Sequence, residues 1–216
     1  MNKNDYIIRL ETKNDYREVE TLIREAFWNL NVPGCDEHYL AHILRDAEDF
    51  IPELDFVLEK DHKIIGHIMY SKSKLVDESG HVKTTLSFGP LSILPEYQRQ
   101  GYGKILLEHS FKEAISLGYD TVIIFGNPAN YVSRGFKSAH KYNIRLDGGY
   151  LPMALLVKEL IPQTWDGKTR YFSESPAFDG ITEEAVQAFD AGFDAKIKEW
   201  QPSQEEFYIH CHSSIN

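Results

Sequence analysis

A turn built from glycine, polar and basic residues lies in the middle of this 216-residue chain, between a predicted strand and a predicted helix. Gly101 and Gly103 stand where the helix begins, with Arg99 before them and Lys104 after them. Such a turn leaves several backbone N–H groups unpaired and pointing one way, and the helix dipole adds about half a positive charge there. Glycine lets the backbone approach a ligand closely. The pattern predicts a pyrophosphate site that Arg99 and Lys104 would supplement.

Two nucleotide-binding motifs also place glycines before a helix, and both fit this turn poorly. A Walker loop needs a glycine where Gln98 stands and a serine or threonine where Ile105 stands, which disfavours a nucleotide triphosphatase. A dinucleotide fingerprint needs a third glycine where Leu106 stands. The turn therefore favours another phosphate-bearing ligand.

The turn sequence Gln-Arg-Gln-Gly-Tyr-Gly, residues 98–103, resembles the Q/R-x-x-G-x-G/A signature of GCN5-related N-acetyltransferases. The similarity extends to neighbouring positions on both sides, namely Ile93, Pro95, Tyr97, Lys104 and Leu107. Its position after a strand and before a long helix strengthens the resemblance. Residues 5–158 are covered by it, and the C-terminal segment is not.

A second block supports the resemblance independently. Residues 121–125 are predicted to form a buried strand, and Asn127 follows it closely. Tyr131 stands four residues before Gly135-Phe136, as in the family. Only three residues separate Asn127 from Tyr131, fewer than in many members. This short form is similar to a bacterial subgroup of predicted acetyltransferases with Gly-Asp/Asn-Pro-Ala at this point.

The resemblance implies an α/β fold of the acyl-CoA N-acyltransferase type, with a central mixed sheet flanked by helices, to which this chain adds a C-terminal extension. In that fold the fourth and fifth strands splay into a V that receives the pantetheine arm of the co-substrate, acetyl-CoA. Backbone groups of the fourth strand would pair with pantetheine and polarise the thioester carbonyl. The implied cofactor-binding residues are Leu91, Ser92, Ile93, Gln98, Arg99, Gln100, Gly101, Tyr102, Gly103, Lys104 and Asn127.

The implied reaction is direct attack of a neutral amine on the thioester. Tyr131 is the implied catalytic residue, a general acid for the CoA thiolate, because a phenol of pKa about 10 keeps its proton at neutral pH. The general base stays open between a water chain and several acceptor-side residues, namely Glu25, Glu37, His38 and His67. The acceptor, a small-molecule or peptide amine, would bind between residues 29–38 and residues 137–151.

A rival interpretation keeps the fold without the chemistry. The same scaffold would serve a non-catalytic acyl-CoA-binding sensor or interaction module, which the lack of an obvious base favours mildly. A Tyr131→Phe variant separates the two interpretations, because an enzyme would lose turnover while keeping its cofactor.

Residues 1–160 are predicted to form the N-acetyltransferase domain, and residues 161–216 an extension packed on it. Three helices are predicted at residues 14–28, 37–46 and 101–117. Strands are predicted at residues 6–10, 56–59, 64–70, 82–94, 121–125 and 151–157, with a bulge or a local break in pairing at Gly89-Pro90. In the extension, Thr182 is expected to cap a helix whose aromatic face docks on the domain.

The composition of the chain argues against several classes of partner. The net charge is −10, and ten acidic against four basic residues lie in 161–216, which disfavours an extended nucleic-acid surface. Cys35 and Cys211 are expected to be free thiols in a reducing cytoplasm.

No apolar run reaches the roughly 18 residues of a membrane span. His210-Cys211-His212, taken as a strand, would point in alternating directions, so no metal site is predicted. A homodimer is left open.

Overall fold

The computed structural model describes residues 6–162 and 165–214. The helices are α1 (Tyr16–Phe27), α2 (Glu37–Leu44), α3 (Tyr102–Ser116), α4 (Pro128–Tyr131), α5 (Glu183–Asp190) and α6 (Pro202–His212). The strands are β1 (Ile7–Leu10), β2 (Phe56–Lys60), β3 (Lys63–Asp77), β4 (Val82–Ile93), β5 (Thr121–Phe125), β6 (Lys137–Ser138), β7 (Ile144–Arg145), β8 (Leu155–Glu159) and β9 (Arg170–Ser173). In this part of the chain no helix is long and apolar enough to cross a membrane.

The strands form one mixed sheet in the order β1-β2-β3-β4-β5-β8-β6, and β9 joins it by pairing with β3 and β7. Most neighbours are antiparallel, whereas β4 with β5 and β7 with β9 are parallel. Helices α1 and α3 pack against β3 and β4, and α2 packs against α1 and β4. The predicted fold class, a mixed sheet flanked by helices, is confirmed.

Strands β4 and β5 separate soon after they meet. Their register contains one residue pair, Leu86 with Val122, although β4 continues to Ile93 and β5 to Phe125. On its other edge β4 stays paired with β3 as far as Ile93. The register between those two strands shifts at Gly89-Pro90, where the sequence predicted a bulge or a local break in pairing. The final residues of β4 therefore have one edge without a partner strand.

The extension contacts the domain at several points. Strand β9 continues the sheet beside β3, and a short helical turn at Pro176–Gly180 packs near α2. On α5, Asp190 lies 2.6 Å from Nε of Arg24 in α1. Trp28 donates from Nε1 to the carbonyl oxygen of Ile197 at 2.9 Å. The extension is thus held both at the sheet, through β9, and along the α1–α2 side of the domain.

Two predictions about the end of the chain need correction. The strand predicted at 151–157 lies at Leu155–Glu159, because the N–H groups of Met153 and Ala154 donate to carbonyl oxygens of the extension instead of entering the sheet. The segment His210-Cys211-His212 is helical, as part of α6, and is not a strand.

Candidate active site

Two cavities meet beside Tyr131. The first, which we call the turn cavity, has a volume of about 480 Å³ and follows the turn at residues 98–104. The second, which we call the apolar cavity, has a volume of about 550 Å³ and is walled mainly by apolar side chains. Both are lined by the same five residues where they join, namely Phe27, Leu30, Leu91, Asn130 and Tyr131. A ligand that spans the two cavities must therefore pass Tyr131.

The turn cavity ends at the N-terminus of α3. Gly101, with φ of 95°, precedes the helix in the left-handed conformation that glycine adopts without strain. Arg99 also has a positive φ, of 59°. The cavity is lined by five of the predicted turn residues, namely Gln98, Arg99, Gly101, Gly103 and Lys104. The backbone therefore turns sharply just where the free N–H groups of the helix begin.

The side chains of two predicted turn residues point elsewhere. Gln100 donates from Nε2 to the carbonyl oxygen of Glu96 at 2.8 Å, which stabilises the turn. Tyr102 packs its ring edge-on against Tyr6 and Tyr97. Neither side chain lines the turn cavity, so each could reach a ligand there only through its backbone N–H.

The turn cavity is basic in an acidic protein. Arg99, Lys104 and Arg134 line it, and no aspartate or glutamate does. Arg134 was not singled out from the sequence, because it lies outside the turn motif and reaches the cavity from the segment after α4. Three cations beside a helix N-terminus favour an anionic ligand.

The last residues of β4 run along the junction. Leu91 lines both cavities and Ile93 lines the turn cavity. Ser92 between them is buried, and its hydroxyl has no hydrogen-bond partner among the described residues. Gln98 donates from Nε2 to the carbonyl oxygen of Ile93 at 3.0 Å, which links the strand end to the turn.

Tyr131 is the last residue of α4. Oδ1 of Asn127, at the N-cap of that helix, accepts from the backbone N–H of Ala129 at 2.9 Å. The Tyr131 ring packs against Phe88 and Phe136, with centroids 5.8 and 5.5 Å away. Burial raises the pKa of Tyr131 to about 12, so the phenol is protonated at neutral pH. The hydroxyl has no hydrogen-bond partner in the described part of the chain, which leaves its proton available to a ligand.

The apolar cavity is completed by the extension. The α1–α2 connection contributes Leu30, Asn31 and Asp36, and the first residue of α2 contributes Glu37, all within the predicted segment 29–38. Residues 137–151, also predicted to help form the acceptor site, line neither cavity. Helix α6 takes their place, since it hydrogen-bonds to Ala154 and itself contributes Phe207 and Cys211.

Three carboxyl groups line the apolar cavity, and no lysine or arginine does. Burial raises the pKa of Glu37 to about 7, and it raises the pKa of Glu174 to about 7 as well. The pKa of Asp36 is also raised by burial. Glu174 was missed at the level of sequence, because nothing near it in the chain marks it as part of the site.

The other predicted base candidates lie off both cavities. Glu25 pairs with Lys196 at 2.8 Å on the surface. His38 and His67 are fully buried, and burial lowers the pKa of each to about 4. Among the four candidates, only Glu37 lines the apolar cavity.

A group arranged like a nucleophilic triad lies near the site, formed by Cys35, His38 and Asp190. Unlike the thiol of a working triad, the thiol of Cys35 is buried. Sγ of Cys35 lies 3.1 Å from Nδ1 of His38, whose Nε2 lies 3.2 Å from Oδ1 of Asp190. Burial raises the pKa of the thiol far above its usual range, and Cys35 lines neither cavity. A buried neutral thiol is inert, so the group anchors α5 and does not catalyse.

Glu11, Asp55 and His67 place potential metal-ligand atoms within 4.8 Å of one another. Arg45 donates hydrogen bonds to both carboxylate oxygens of Glu11, at 2.7 and 2.9 Å. Nε2 of His67 lies 2.8 Å from Oδ1 of Asp55, and none of these residues lines either cavity. The group is a buried ion-pair network apart from the candidate site.

The sequence profile of the Acetyltransferase (GNAT) family matches residues 20–138, which is more than half of the chain. The uncharacterized N-acetyltransferase YhbS of Escherichia coli K12 is 27% identical over 164 residues, covering 76% of this chain and 92% of that protein. The uncharacterized N-acetyltransferase YjhQ of the same strain is 28% identical over 124 residues, covering 57% and 64%.

Solved structures agree on the fold. Escherichia coli YhbS in complex with CoA has a TM-score of 0.69 at 24% identity, covering 81% of this chain and 92% of that chain. A GNAT family acetyltransferase from Brucella melitensis in complex with acetyl-CoA has a TM-score of 0.63 at 23% identity, covering 81% and 98%. The predicted family is confirmed: the chain belongs to the acetyltransferase (GNAT) family.

Proposed function

We propose that the protein transfers an acetyl group from acetyl-CoA to a primary amine by direct attack, with Tyr131 as general acid to the CoA thiolate. The observation that carries this proposal is the position of Tyr131, where a basic cavity meets an acidic, apolar one. The basic side suits a phosphate-bearing donor, and the acidic side suits a cationic acceptor.

The turn cavity is the proposed site of the CoA pyrophosphate. Backbone N–H groups of residues 99–104 would hold the phosphates, and Arg99, Lys104 and Arg134 would add charge. Acetyl-CoA as co-substrate agrees with the CoA and acetyl-CoA bound in the solved relatives. The residues present fit that group in both charge and backbone geometry.

The unpaired edge of β4 is the proposed site of the pantetheine arm. Backbone groups of Leu91, Ser92 and Ile93 lie beyond the one residue pair that joins β4 to β5. They would pair with the amides of the arm as an added strand does. An N–H group aimed at the thioester oxygen is typically worth about 3 kcal/mol in the transition state. Asn127 would contribute through the turn that it caps.

Tyr131 suits the acid role because its raised pKa keeps the proton on the phenol until a thiolate is expelled. A thiol has a pKa of about 8.5, well below that of Tyr131, so the phenol gives its proton to the departing thiolate only as the attacking nitrogen supplies a proton to the phenolic oxygen. Small molecules and peptides with a primary amine are the proposed acceptors. The cytoplasmic location, the homodimer and the absence of nucleic-acid or membrane partners stay predictions.

The test compares the parent with Tyr131→Phe, which removes only the hydroxyl. The variant is expected to bind acetyl-CoA like the parent and to lose about 100-fold in turnover of any amine that the parent acetylates. A variant with parent-like turnover would exclude the acid role. A parent that binds acetyl-CoA and acetylates no amine would favour the non-catalytic sensor.

A further inference from the structure

The extension lies outside residues 20–138, which match the family profile, yet it completes the apolar cavity. Its contributions are Glu174, Phe178, Ile181, Phe207 and Cys211. We propose that the acceptor is a primary amine with an apolar body and that Glu174 is the catalytic base that takes its proton. This assignment rests on the acetyl transfer proposed above and adds the class of acceptor and the base.

The backbone on both sides of Glu174 is fixed to the domain. Ser173 ends β9 and pairs with Lys74 of β3. Ser175 donates from its hydroxyl to Oδ1 of Asp49 at 2.9 Å. A carboxylate between two such anchors is presented to the cavity from a defined position, which a base requires.

Glu174 differs from Glu37 in its hydrogen bonds. Oε1 of Glu37 accepts from Nδ2 of Asn31 at 2.7 Å, and Oε2 accepts from the backbone N–H of Asp36 at 3.2 Å. Among the described residues, none donates a hydrogen bond to Glu174 or forms an ion pair with it. Its side chain is only partly exposed, and the cavity is the space that it faces. Glu174 therefore has free lone pairs with which to take a proton.

The other ionisable groups around the cavity are acids. Asp36 and Glu37 face it from the start of α2, Tyr131 from α4 and Cys211 from α6. With no cation among them, the cavity favours an ammonium group over a neutral or anionic one. Burial raises the pKa of Glu174 to about 7, which suits a base at neutral pH.

The remaining walls select the body of the acceptor. Apolar side chains surround the carboxyl groups, namely Phe27, Leu30, Leu40, Phe88, Phe125 and Phe178. Such walls favour an aromatic or branched alkyl group, because they remove its surface from water. An acceptor that carries a second ammonium group would have to bury that charge against these apolar walls, which is unfavourable.

The proton balance of the step is complete. Glu174 takes one proton from the ammonium group and passes it to solvent. The freed nitrogen lone pair forms the N–C bond at the thioester carbonyl, and the C–S bond breaks. Tyr131 protonates the departing thiolate, and the second proton of the nitrogen returns to the Tyr131 oxygen. One amide, one thiol and one released proton are formed.

The assignment is tested by CoA thiol release from acetyl-CoA with 2-phenylethylamine, ethylamine or spermidine, between about pH 6 and about pH 9. We expect kcat/KM for 2-phenylethylamine to exceed that for ethylamine by about 50-fold, because the ring is buried. In the parent, kcat/KM should fall as the pH drops below about 7 and Glu174 is protonated; we call this fall the acidic limb. Glu174→Gln should lower kcat/KM by about 100-fold and remove the acidic limb, with the Kd of acetyl-CoA unchanged. Glu174→Asp should keep the limb at an intermediate rate, and the exposed Glu184→Gln should match the parent.

The possible results distinguish failure of this assignment from failure of the proposed acetyl transfer. Equal use of ethylamine, or preference for spermidine, would overturn the class of acceptor. A parent-like acidic limb in Glu174→Gln would overturn the role of the base, as would equal rates in the Gln and Asp variants. Absence of acetyl-CoA binding would instead remove the proposed function, and this assignment with it.

Discussion

A Cβ atom on Gly126 would lie 2.6 Å from Cε2 of Tyr131 and 2.9 Å from its Cδ2. Gly126 follows β5 directly, and its φ is not in the left-handed region, so the lack of a side chain is what the fold uses here. The Tyr131 ring occupies the space that a larger residue would fill. Gly126 thus fixes where the phenol stands between the two cavities.

Gly126→Ala is therefore expected to displace the Tyr131 ring. Turnover should fall about 100-fold, because a shift of about 1 Å in a catalytic group has that effect, while the Kd of acetyl-CoA changes little. Steady-state kinetics and calorimetry on the same preparation separate the two effects. Gly192→Ala is the matched control, since the atom nearest to its Cβ would be the Phe189 carbonyl oxygen at 3.4 Å, an ordinary contact distance. Parent-like turnover in Gly126→Ala would mean that the phenol position is unimportant.

Arg134→Ala is expected to weaken acetyl-CoA binding about 10-fold at low salt and less at high salt, because screening reduces the contribution of a charge. Arg134 lines the turn cavity, whereas Lys141 is exposed and lies outside both cavities. Lys141→Ala should leave the Kd unchanged. Equal effects of the two substitutions would show that the net charge of the protein, and not the turn cavity, governs binding.

Glu174 should also make stability depend on pH. Its pKa is raised from 4.5 to about 7 on folding, so the folded protein holds a proton that the unfolded chain loses in this range. The stability that this proton contributes is present below about pH 4.5 and is lost as the pH rises through about 7. Glu174→Gln, which cannot ionise, should therefore be more stable than the parent at about pH 8, by at most about 3 kcal/mol.

Thermal unfolding at about pH 5 and about pH 8 checks this sign. The difference in Tm between Glu174→Gln and the parent should grow with pH, whereas Glu184→Gln on the exposed surface should show no such trend. A difference that is the same at both pH values would mean that the carboxyl group is not desolvated.

The local parts of the site were predictable from the sequence. The turn at residues 98–104 and the spacing of Tyr131 from Gly135 are short-range patterns, and the structure places them beside one junction. The separation of β4 and β5, which the family resemblance implied, has its counterpart in their single residue pair. The turn and the spacing of Tyr131 depend on a few consecutive residues, so a sequence displays them directly.

The extension could not be read in the same way. Strand β9 is four residues long and gains its partners from β3 and β7, far away in the chain. Helix α6 has little amphipathic pattern, because polar and apolar residues surround its axis. Glu174 reaches the cavity because β9, which ends one residue before it, pairs with the distant β3. These features depend on tertiary contacts that leave no local periodicity.

We propose that acetyl-CoA is held by the turn at residues 98–104, beside Tyr131. Calorimetric titration of the purified protein with acetyl-CoA, with ATP and NAD as controls, tests it most directly. We predict binding of acetyl-CoA with a Kd on the order of micromolar, about −8 kcal/mol, and none of the two controls. No binding of acetyl-CoA, or equal binding of ATP, would contradict the claim and reduce the turn to an ordinary connection between strand and helix.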